Sequence, residues 1–489
     1  MTTEIARNPY TGAALGEYAA SGPDDVDVAV RAAATAAAEI ANTRPTAIAG
    51  WLGAIADALL THRDELAELA DAETGLGLER LTGEVERAAN QLRFYGSVAA
   101  EGSYLDATLD TSAAVIGRVQ RPLGPIAVFG ASNFPFAFGA LGHDTGAAIA
   151  SGNAVVAKGH PAHPGLSRRL GEIAVKALAG AGAPEATYGL VTGFEAGTQL
   201  VQHPGIKAVA FTGSERGGTA LWRLANERAE VIPVYAEMGT VNAVAVTAAA
   251  AAARASEIAR GFVESFTLGA GQFCTKPGLL LAPAGAGLAE AVGAAVAERP
   301  SGVLLTEAIT NDCKAGVARL VENGATIIST GASAVAGWGA AATVLTVPAA
   351  TLAKDSPLLA EVFGPVALVV EYADAEQLHA VIRELPGALA AGVHAEDAED
   401  VTALVAALAR NVGRVIYNGW PTGVATTWAQ QHGGPWPATT VPAATSVGAA
   451  ALQRFVRPVA YQDLPDAALP PALQDANPWG LPRRVNGAR

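Results

Sequence analysis

From about residue 125 onward, short apolar runs alternate with longer amphipathic stretches. PIAVF (125–129), AVVAK (154–158), TYGLV (187–191), IKAVAF (206–211) and VIPVYAE (231–237) read as strands. Between them Pro135–Ser151, Gly165–Ala179, Glu195–Gln202 and Glu215–Glu227 read as helices. Strands apolar on both faces and separated by helices predict a parallel sheet covered on both sides. Such sheets take their ligands beyond the carboxyl ends of the strands. A second run follows, with strands expected at NAVAV (242–246), PGLLLA (277–282), near Thr343, PVALVVE (365–371), GALAAGV (387–393) and GRVIYN (413–418).

The first hundred residues read differently, as helices. Pro23-Asp24-Asp25 opens one, and Pro45 opens a second with Ile48, Trp51, Leu52, Ile55 and Leu59 at three-four spacing. Asp64–Glu73 and Glu79–Gly102 look alike. AVIGRVQRPLG, from Ala114, is β-branched and broken by Pro122, so it predicts a strand in a protruding arm. The proline-rich tail after Phe455 is expected to run over the surface or onto a neighbour.

Composition narrows the class. With 51% hydrophobic and 16% charged residues over 489 positions, the chain can bury a large core and is not disordered. The 32 basic and 46 acidic residues give a net charge of −14, which argues against nucleic acid as a partner. Two cysteines, Cys274 and Cys313, make no disulfide framework and fit a reducing compartment, the cytoplasm. MTTEIARNPYTG has no apolar core and does not read as a signal peptide. The uncharged stretch Asn323–Ala353 is interrupted by glycines and Pro348, so no membrane span is expected.

Few residues carry candidate chemistry. Cys274, in TLGAGQFCTKPG, lies in a Gly-rich stretch between a helix and a strand, where backbone N–H groups can face a ligand, with Lys276 close behind. A thiolate there would be a nucleophile, and a free thiol is a few per cent ionised at neutral pH. The bland alternative is a buried small hydrophobe. Cys313, in TNDCKAG on a helix, lacks this context. Glu237 ends an apolar strand in VYAEMGTVN; it is either a structural acid or a base in the cleft at the sheet edge, its pKa raised by burial. Asn133, in VFGASNFPFAFG, is either a helix N-cap before Pro135 or a donor to a developing oxyanion. Lys158 ends its strand in VVAKGHPAHPG, placed for a ribose or phosphate; His160 and His163 read as structural turns, and no metal is expected. In FTGSERGG (211–218), Gly213 and Ser214 could offer N–H groups to a pyrophosphate at a helix N-terminus. The G-x-G-x-x-G, G-x-S-x-G and Walker signatures do not occur.

In order along the chain, ASNFP, VVAKGHP, FTGSERGG, AEMGT, GQFCT and EVFGP (361–365) resemble the aldehyde dehydrogenase superfamily. KGHPAHPG, QHPGIKAVAFTGS, AEMGTVNAV, GQFCTKPG, NGWPTGV, HGGPWPATT and RFVRPVAYQDLPDAALP are similar to its branch containing α-ketoglutarate semialdehyde (2,5-dioxovalerate) dehydrogenases. The resemblance implies an α/β fold with a Rossmann-type cofactor domain (1–104 and 122–238), an α/β catalytic domain (239–452) and an oligomerisation arm and tail (105–121 and 453–489). It implies oxidation of a small aldehyde to an acid with NADP or NAD, in a homodimer or homotetramer. Cys274 would attack the aldehyde carbon, Asn133 and the Cys274 N–H would hold the oxyanion, and Glu237 would activate water against a thioester. Ser132, Lys158, Gly213, Ser214, Gly218, Met238, Gly239, Glu361 and Phe363 would contact the cofactor.

Two departures matter. Pro161 stands where NAD-preferring members often carry a ribose-binding glutamate, which favours NADP, while Glu195 pulls the other way. Thr240 replaces a common glycine and could shift Glu237. The alternatives are a broad or medium-chain aliphatic aldehyde dehydrogenase, suited by Phe136, Phe138, Phe273, Trp428 and Trp436; a non-catalytic protein on the same scaffold; and a cysteine hydrolase. An arginine facing Cys274 would favour an acidic substrate, but the sequence does not locate one.

Overall fold

The computed structural model describes residues 2–112, 114–333 and 335–488. Two sheets carry the architecture. The first has five parallel strands in the order Tyr188–Val191, Val155–Lys158, Ile126–Phe129, Ala208–Gly213 and Val234–Met238. The chain enters at the central strand, builds outward on one side, then returns to build on the other. The loops after Phe129 and Gly213 therefore diverge at the carboxyl edge and leave a crevice there.

The second sheet has seven strands in the order Thr326–Thr330, Thr343–Pro348, Val366–Tyr372, Pro277–Pro283, Asn242–Val246, Ala388–His394 and Val412–Tyr417. All pair in parallel except Thr326–Thr330, which lies antiparallel on the edge. Pro277–Pro283, Asn242–Val246 and Ala388–His394 are almost wholly buried, as their unbroken Val, Leu and Ala runs require. Helices Pro45–Thr61 and Leu78–Glu101 pack together beside the first sheet, with Leu52, Ile55 and Leu59 fully buried. Each such side chain contributes about 1.5–3 kcal/mol.

The sequence expectation fails at two places. The first twenty residues are not helical: Thr3–Arg7 and Ala14–Ala19 form an antiparallel hairpin. Its turn is closed by Asn8, whose carbonyl accepts from Gly12 N and whose side chain accepts from Tyr10 N. The helix expected over Pro135–Ser151 begins only at His143 and ends at Ala150, with Gly142 as its N-cap. Asn133 therefore caps no helix. Residues 135–142 coil into turns too tight for side chains: a Cβ at Gly139 would sit 2.0 Å from the Pro135 carbonyl oxygen, and one at Gly142 2.5 Å from that of Ala137.

The strand Ile116–Pro122 joins Ala107–Asp110, Val456–Gln462 and Arg483–Val485 in a four-stranded sheet, so the arm and the tail are one unit. Among the described residues no helix is long and apolar enough to cross a membrane.

Gly139→Ala is expected to destabilise the protein by at least about 2 kcal/mol, because backbone rather than a side chain must move. Urea unfolding checks this; an unchanged midpoint would contradict the packing described.

Candidate active site

Three residues link the two sheets. Val234–Met238 is the last strand of the first, and Asn242–Val246 is an inner strand of the second, paired with Pro277–Pro283 and Ala388–His394. Glu237 and Asn242 thus stand on either side of the interlayer crossing, and the Cys274 loop is drawn to both. The buried Asn242 side chain does this directly. Its Nδ2 donates to the carbonyls of Cys274 (2.8 Å) and Lys276 (3.0 Å), and its Oδ1 accepts from Ala390 N (3.0 Å).

Cys274 is partly exposed and forms no disulfide. Its Sγ lies 3.7 Å from His432 Nε2, and that nitrogen lies 3.4 Å from Glu237 Oε2. The reactive atoms of Cys274, His432 and Glu237 all fall within 4.8 Å of one another. Glu237 is 2% exposed, and neither carboxylate oxygen has a hydrogen-bond donor among the described residues. Burial pushes the Cys274 thiol well above its ordinary value, and the charges of Glu237 and Glu361 push it further. The few per cent of thiolate expected of a free cysteine is therefore not available at rest. The proton must leave as the sulfur attacks, and His432 Nε2, 3.7 Å away, is placed to take it. His432 is fixed through its backbone, its N–H donating to Thr445 Oγ1 (2.8 Å) and its carbonyl accepting from Ser446 N (2.9 Å).

Asn133 reaches the same loop. Its Nδ2 donates to the Gln272 carbonyl (2.8 Å), which commits one of two amide hydrogens and leaves the other for a ligand. Lys276, by contrast, is not free to act on the thiol. It is buried, and its Nζ donates to the carbonyls of Val362 (2.7 Å), Gly364 (2.9 Å) and Val366 (2.9 Å). It pins the Glu361–Pro365 segment beside the cysteine loop, and its charge opposes the rise that burial imposes on the Glu361 carboxyl. Cys313 is buried on the helix Glu307–Glu322, where its Sγ would meet a Cβ at Gly364. Thr240 is buried, with its hydroxyl unpartnered among the described residues.

A cleft of about 870 Å³ opens at the carboxyl edge of the first sheet, lined among others by Ser214, Glu215, Gly239, Thr240, Glu361 and Arg319. Ser214 caps the helix Glu215–Asn226, accepting from Gly217 N. Phe211 lies under that helix start so closely that a Cβ at Gly213 would sit 2.7 Å from its ring. Gly218 lies one turn further in, and its missing Cβ makes room for Met238 Sδ, so this pair packs helix on strand. Gly239 N donates to the Gly213 carbonyl (2.9 Å), and a Cβ at Gly239 would lie 2.2 Å from the Glu361 carboxylate. Ser132 and Phe363 are half-buried, the first beside Asn133 and the second in the segment that Lys276 holds. An open helix N-terminus, a glycine-lined floor and an acid at the far end fit a dinucleotide's pyrophosphate and ribose.

Lys158 ends its strand on the same edge, half-buried, with its pKa lowered by burial and raised by Glu4. Glu4 belongs to the N-terminal hairpin that sequence reasoning missed; its Oε1 accepts from Gly193 N. His160 and His163 stack with ring centroids 5.4 Å apart.

Sequence reasoning placed Cys274, Glu237 and Asn133 as candidates, and the fold brings them together. It missed His432 and Asn242. His432 is 158 residues from Cys274; HGGPWPATT attracted notice as a pattern, but only folding gives it chemistry. A thiol beside an imidazole is also what a cysteine hydrolase needs, so local geometry leaves both reactions open.

The profile of the aldehyde dehydrogenase family matches residues 2–436. An alpha-ketoglutaric semialdehyde dehydrogenase 2 of Azospirillum brasilense is 43% identical over 455 residues, covering 90% of this chain and 87% of that protein. An alpha-ketoglutaric semialdehyde dehydrogenase of Acinetobacter baylyi is 37% identical over 95% of this chain and 91% of that protein. The solved structure of an aldehyde dehydrogenase from Bacillus cereus shares the fold, with a TM-score of 0.82 at 21% identity over 94% of this chain and 93% of that one.

In the cofactor-free protein, alkylation of Cys274 by iodoacetamide is expected to keep accelerating past pH 9, because the raised thiol is still protonated there. Mass spectrometry of the Cys274 peptide checks this. A plateau reached below pH 8 would contradict the electrostatics described.

Proposed function

The chain belongs to the aldehyde dehydrogenase family, and on that premise we propose that it oxidises α-ketoglutarate semialdehyde to α-ketoglutarate at Cys274. It is an NAD(P)-dependent aldehyde dehydrogenase. The observation that carries the reading is the contact of a thiol, an imidazole and a buried carboxylate, 3.7 and 3.4 Å apart through His432 Nε2, beside a cleft of dinucleotide size. The substrate is supported by the names of the relatives at 43% and 37% identity.

Cys274 Sγ attacks the aldehyde carbon as His432 Nε2 takes the thiol proton. The free Asn133 amide hydrogen and the Cys274 backbone N–H stabilise the oxyanion. NAD(P)+, when bound, supplies the two-electron acceptor that takes the hydride. Ser214 and Gly213 would hold its pyrophosphate, with Gly218 and Met238 packing the helix beneath. Lys158 would hold the adenosine ribose, and Ser132, Gly239, Glu361 and Phe363 the nicotinamide end. The oxidised carbon stays on Cys274 as a thioester. Glu237, whose carboxylate oxygens carry no donor among the described residues, activates a water to hydrolyse it and regenerate the thiol.

In this reading residues 1–104 and 122–238 form the cofactor domain and 239–452 the catalytic domain. Residues 105–121 and 453–489 join subunits into a homodimer or homotetramer. Val115, Ile116, Leu464 and Val485 leave apolar surface exposed on that arm and tail, which supports pairing there. Two cysteines without a disulfide fit the cytoplasm. NADP serves at least as well as NAD, because Pro161 removes a carboxylate from the ribose site. Glu4 and Glu195 weigh toward NAD, so kinetics with both cofactors decide; a clear NAD preference overturns this part. A second reading, a broad aliphatic aldehyde dehydrogenase, is favoured by the aromatic cluster of Phe134, Phe138 and Phe273.

A screen of α-ketoglutarate, glutaric and succinic semialdehydes against hexanal is expected to give α-ketoglutarate semialdehyde the highest kcat/KM. Hexanal ahead of all three would establish the second reading. Glu237→Gln is expected to leave a burst near one reduced cofactor per subunit followed by turnover slowed about 100-fold or more, the usual scale of general-base loss. Equal loss of burst and turnover, measured by stopped-flow absorbance, would remove Glu237 from the hydrolytic step.

A further inference from the structure

Three half-buried arginines near Cys274 pair with no acid among the described residues. Arg80, Arg87 and Arg414 have no carboxylate within 4.0 Å among the described residues, whereas Arg63, Arg169, Arg254 and Arg454 do. The guanidinium of Arg80 lies 4.9 Å from the Phe134 ring centroid and 5.2 Å from that of Phe273, and its Nη2 is engaged by the Asn133 carbonyl (2.6 Å). Arg87 lies 5.4 Å from the ring centroids of Phe134 and Phe138, and among the described residues only its Nη2 finds an acceptor, the Val424 carbonyl (2.8 Å). Arg414 donates from Nη2 to the carbonyls of Pro421 (2.6 Å) and Gly423 (2.9 Å), while its buried Nε has no partner among the described residues.

These guanidiniums share one place. Arg87 and Arg414 hold the carbonyls of adjacent residues, Val424 and Gly423, from the helix Leu78–Glu101 and the strand Val412–Tyr417. Gly423 N donates to Thr275 Oγ1 (3.1 Å), next to the nucleophile. Val424 packs on the Phe134–Phe138–Phe273 cluster, and Phe138 meets His432 edge-on with centroids 6.2 Å apart. Burial lowers the pKa of both arginines, and the charge of a Cys274 thiolate opposes this for each. Glu84, the acid whose charge reaches Arg80 and Arg87, turns its Oε1 to the N–H groups of Phe136 and Ala137 instead. Half-buried guanidiniums with unused donors, set against an aromatic wall, are costly unless an anion completes them. A planar fork suits a carboxylate, and the aromatic faces suit a short carbon chain.

We propose that Arg87, supported by Arg414, binds the distal carboxylate of the substrate, so that the site selects short ω-semialdehydes of dicarboxylic acids over neutral aldehydes. This rests on Cys274 being the point of attack and gives the substrate reading its recognition element.

The test compares kcat/KM for glutaric semialdehyde and for pentanal in the wild type, Arg87→Met, Arg87→Lys and Arg414→Met. The wild type is expected to prefer the semialdehyde. Arg87→Met should lower its kcat/KM by about 10- to 150-fold, the range for a hydrogen bond to a charged group, chiefly through KM. That loss should exceed the loss for pentanal at least tenfold, with Arg87→Lys between and Arg414→Met in the same direction. A wild type that prefers pentanal overturns the acidic-substrate reading itself. A preference that survives in both Met variants overturns only the arginine assignment, as does an equal loss for both aldehydes, which is the mark of a structural role. Should a variant not fold, the wild type decides: glutarate should compete with pentanal while dimethyl glutarate does not, and equal or no inhibition by the two overturns the proposal.

Discussion

The buried side chain of Asn242 is the constraint on which the site depends. One amide group ties the carbonyls of Cys274 and Lys276 to Ala390 N on the neighbouring strand. It opens an inner strand of the seven-stranded sheet five residues after Glu237, which lies next to the end of the last strand of the five-stranded one. The connection is too short to let the sheets separate, so the acid and the thiol share a seam. Removing the amide would leave buried donors and acceptors unpaired at the place where positions matter within half an ångström.

Charge in that seam is left deliberately unsatisfied. Glu237 has no donor among the described residues, the thiol is raised, and Glu361 is balanced by a lysine whose hydrogen bonds all go to backbone carbonyls. Buried groups left in this way cost folding free energy, and such groups cluster at functional sites. The proposed carboxylate site extends the same logic to the arginines at the aromatic wall: a substrate that is an aldehyde at one end and an anion at the other would complete both.

The parallel strands were legible because burial on both faces leaves unbroken apolar runs; NAVAV matches Asn242–Val246 residue for residue. The N-terminal hairpin was not, since its strands are half exposed and its turn is set by Asn8 rather than by an Asn-Gly pair. Asn133 followed by Pro135 imitates a helix start, and only the close contacts at Gly139 and Gly142 exclude one. Cys274 and Glu237 could be singled out by local context. Lys276 misled, because nearness in sequence says nothing of where a long side chain turns. His432, Asn242 and Arg87 gave no local signal: Arg87 reads as one more charge on an amphipathic helix, and the carbonyl it donates to, that of Val424, is 337 residues away.

The central claim is that the aldehyde carbon becomes a thioester on Cys274 that Glu237 then releases. Mass spectrometry of the Glu237→Gln protein, quenched in acid seconds after mixing with cofactor and α-ketoglutarate semialdehyde, tests it most directly. The account requires an adduct of the mass of the acid less water on the peptide containing Cys274. An unmodified Cys274 peptide, or the same adduct on Cys313, would contradict it.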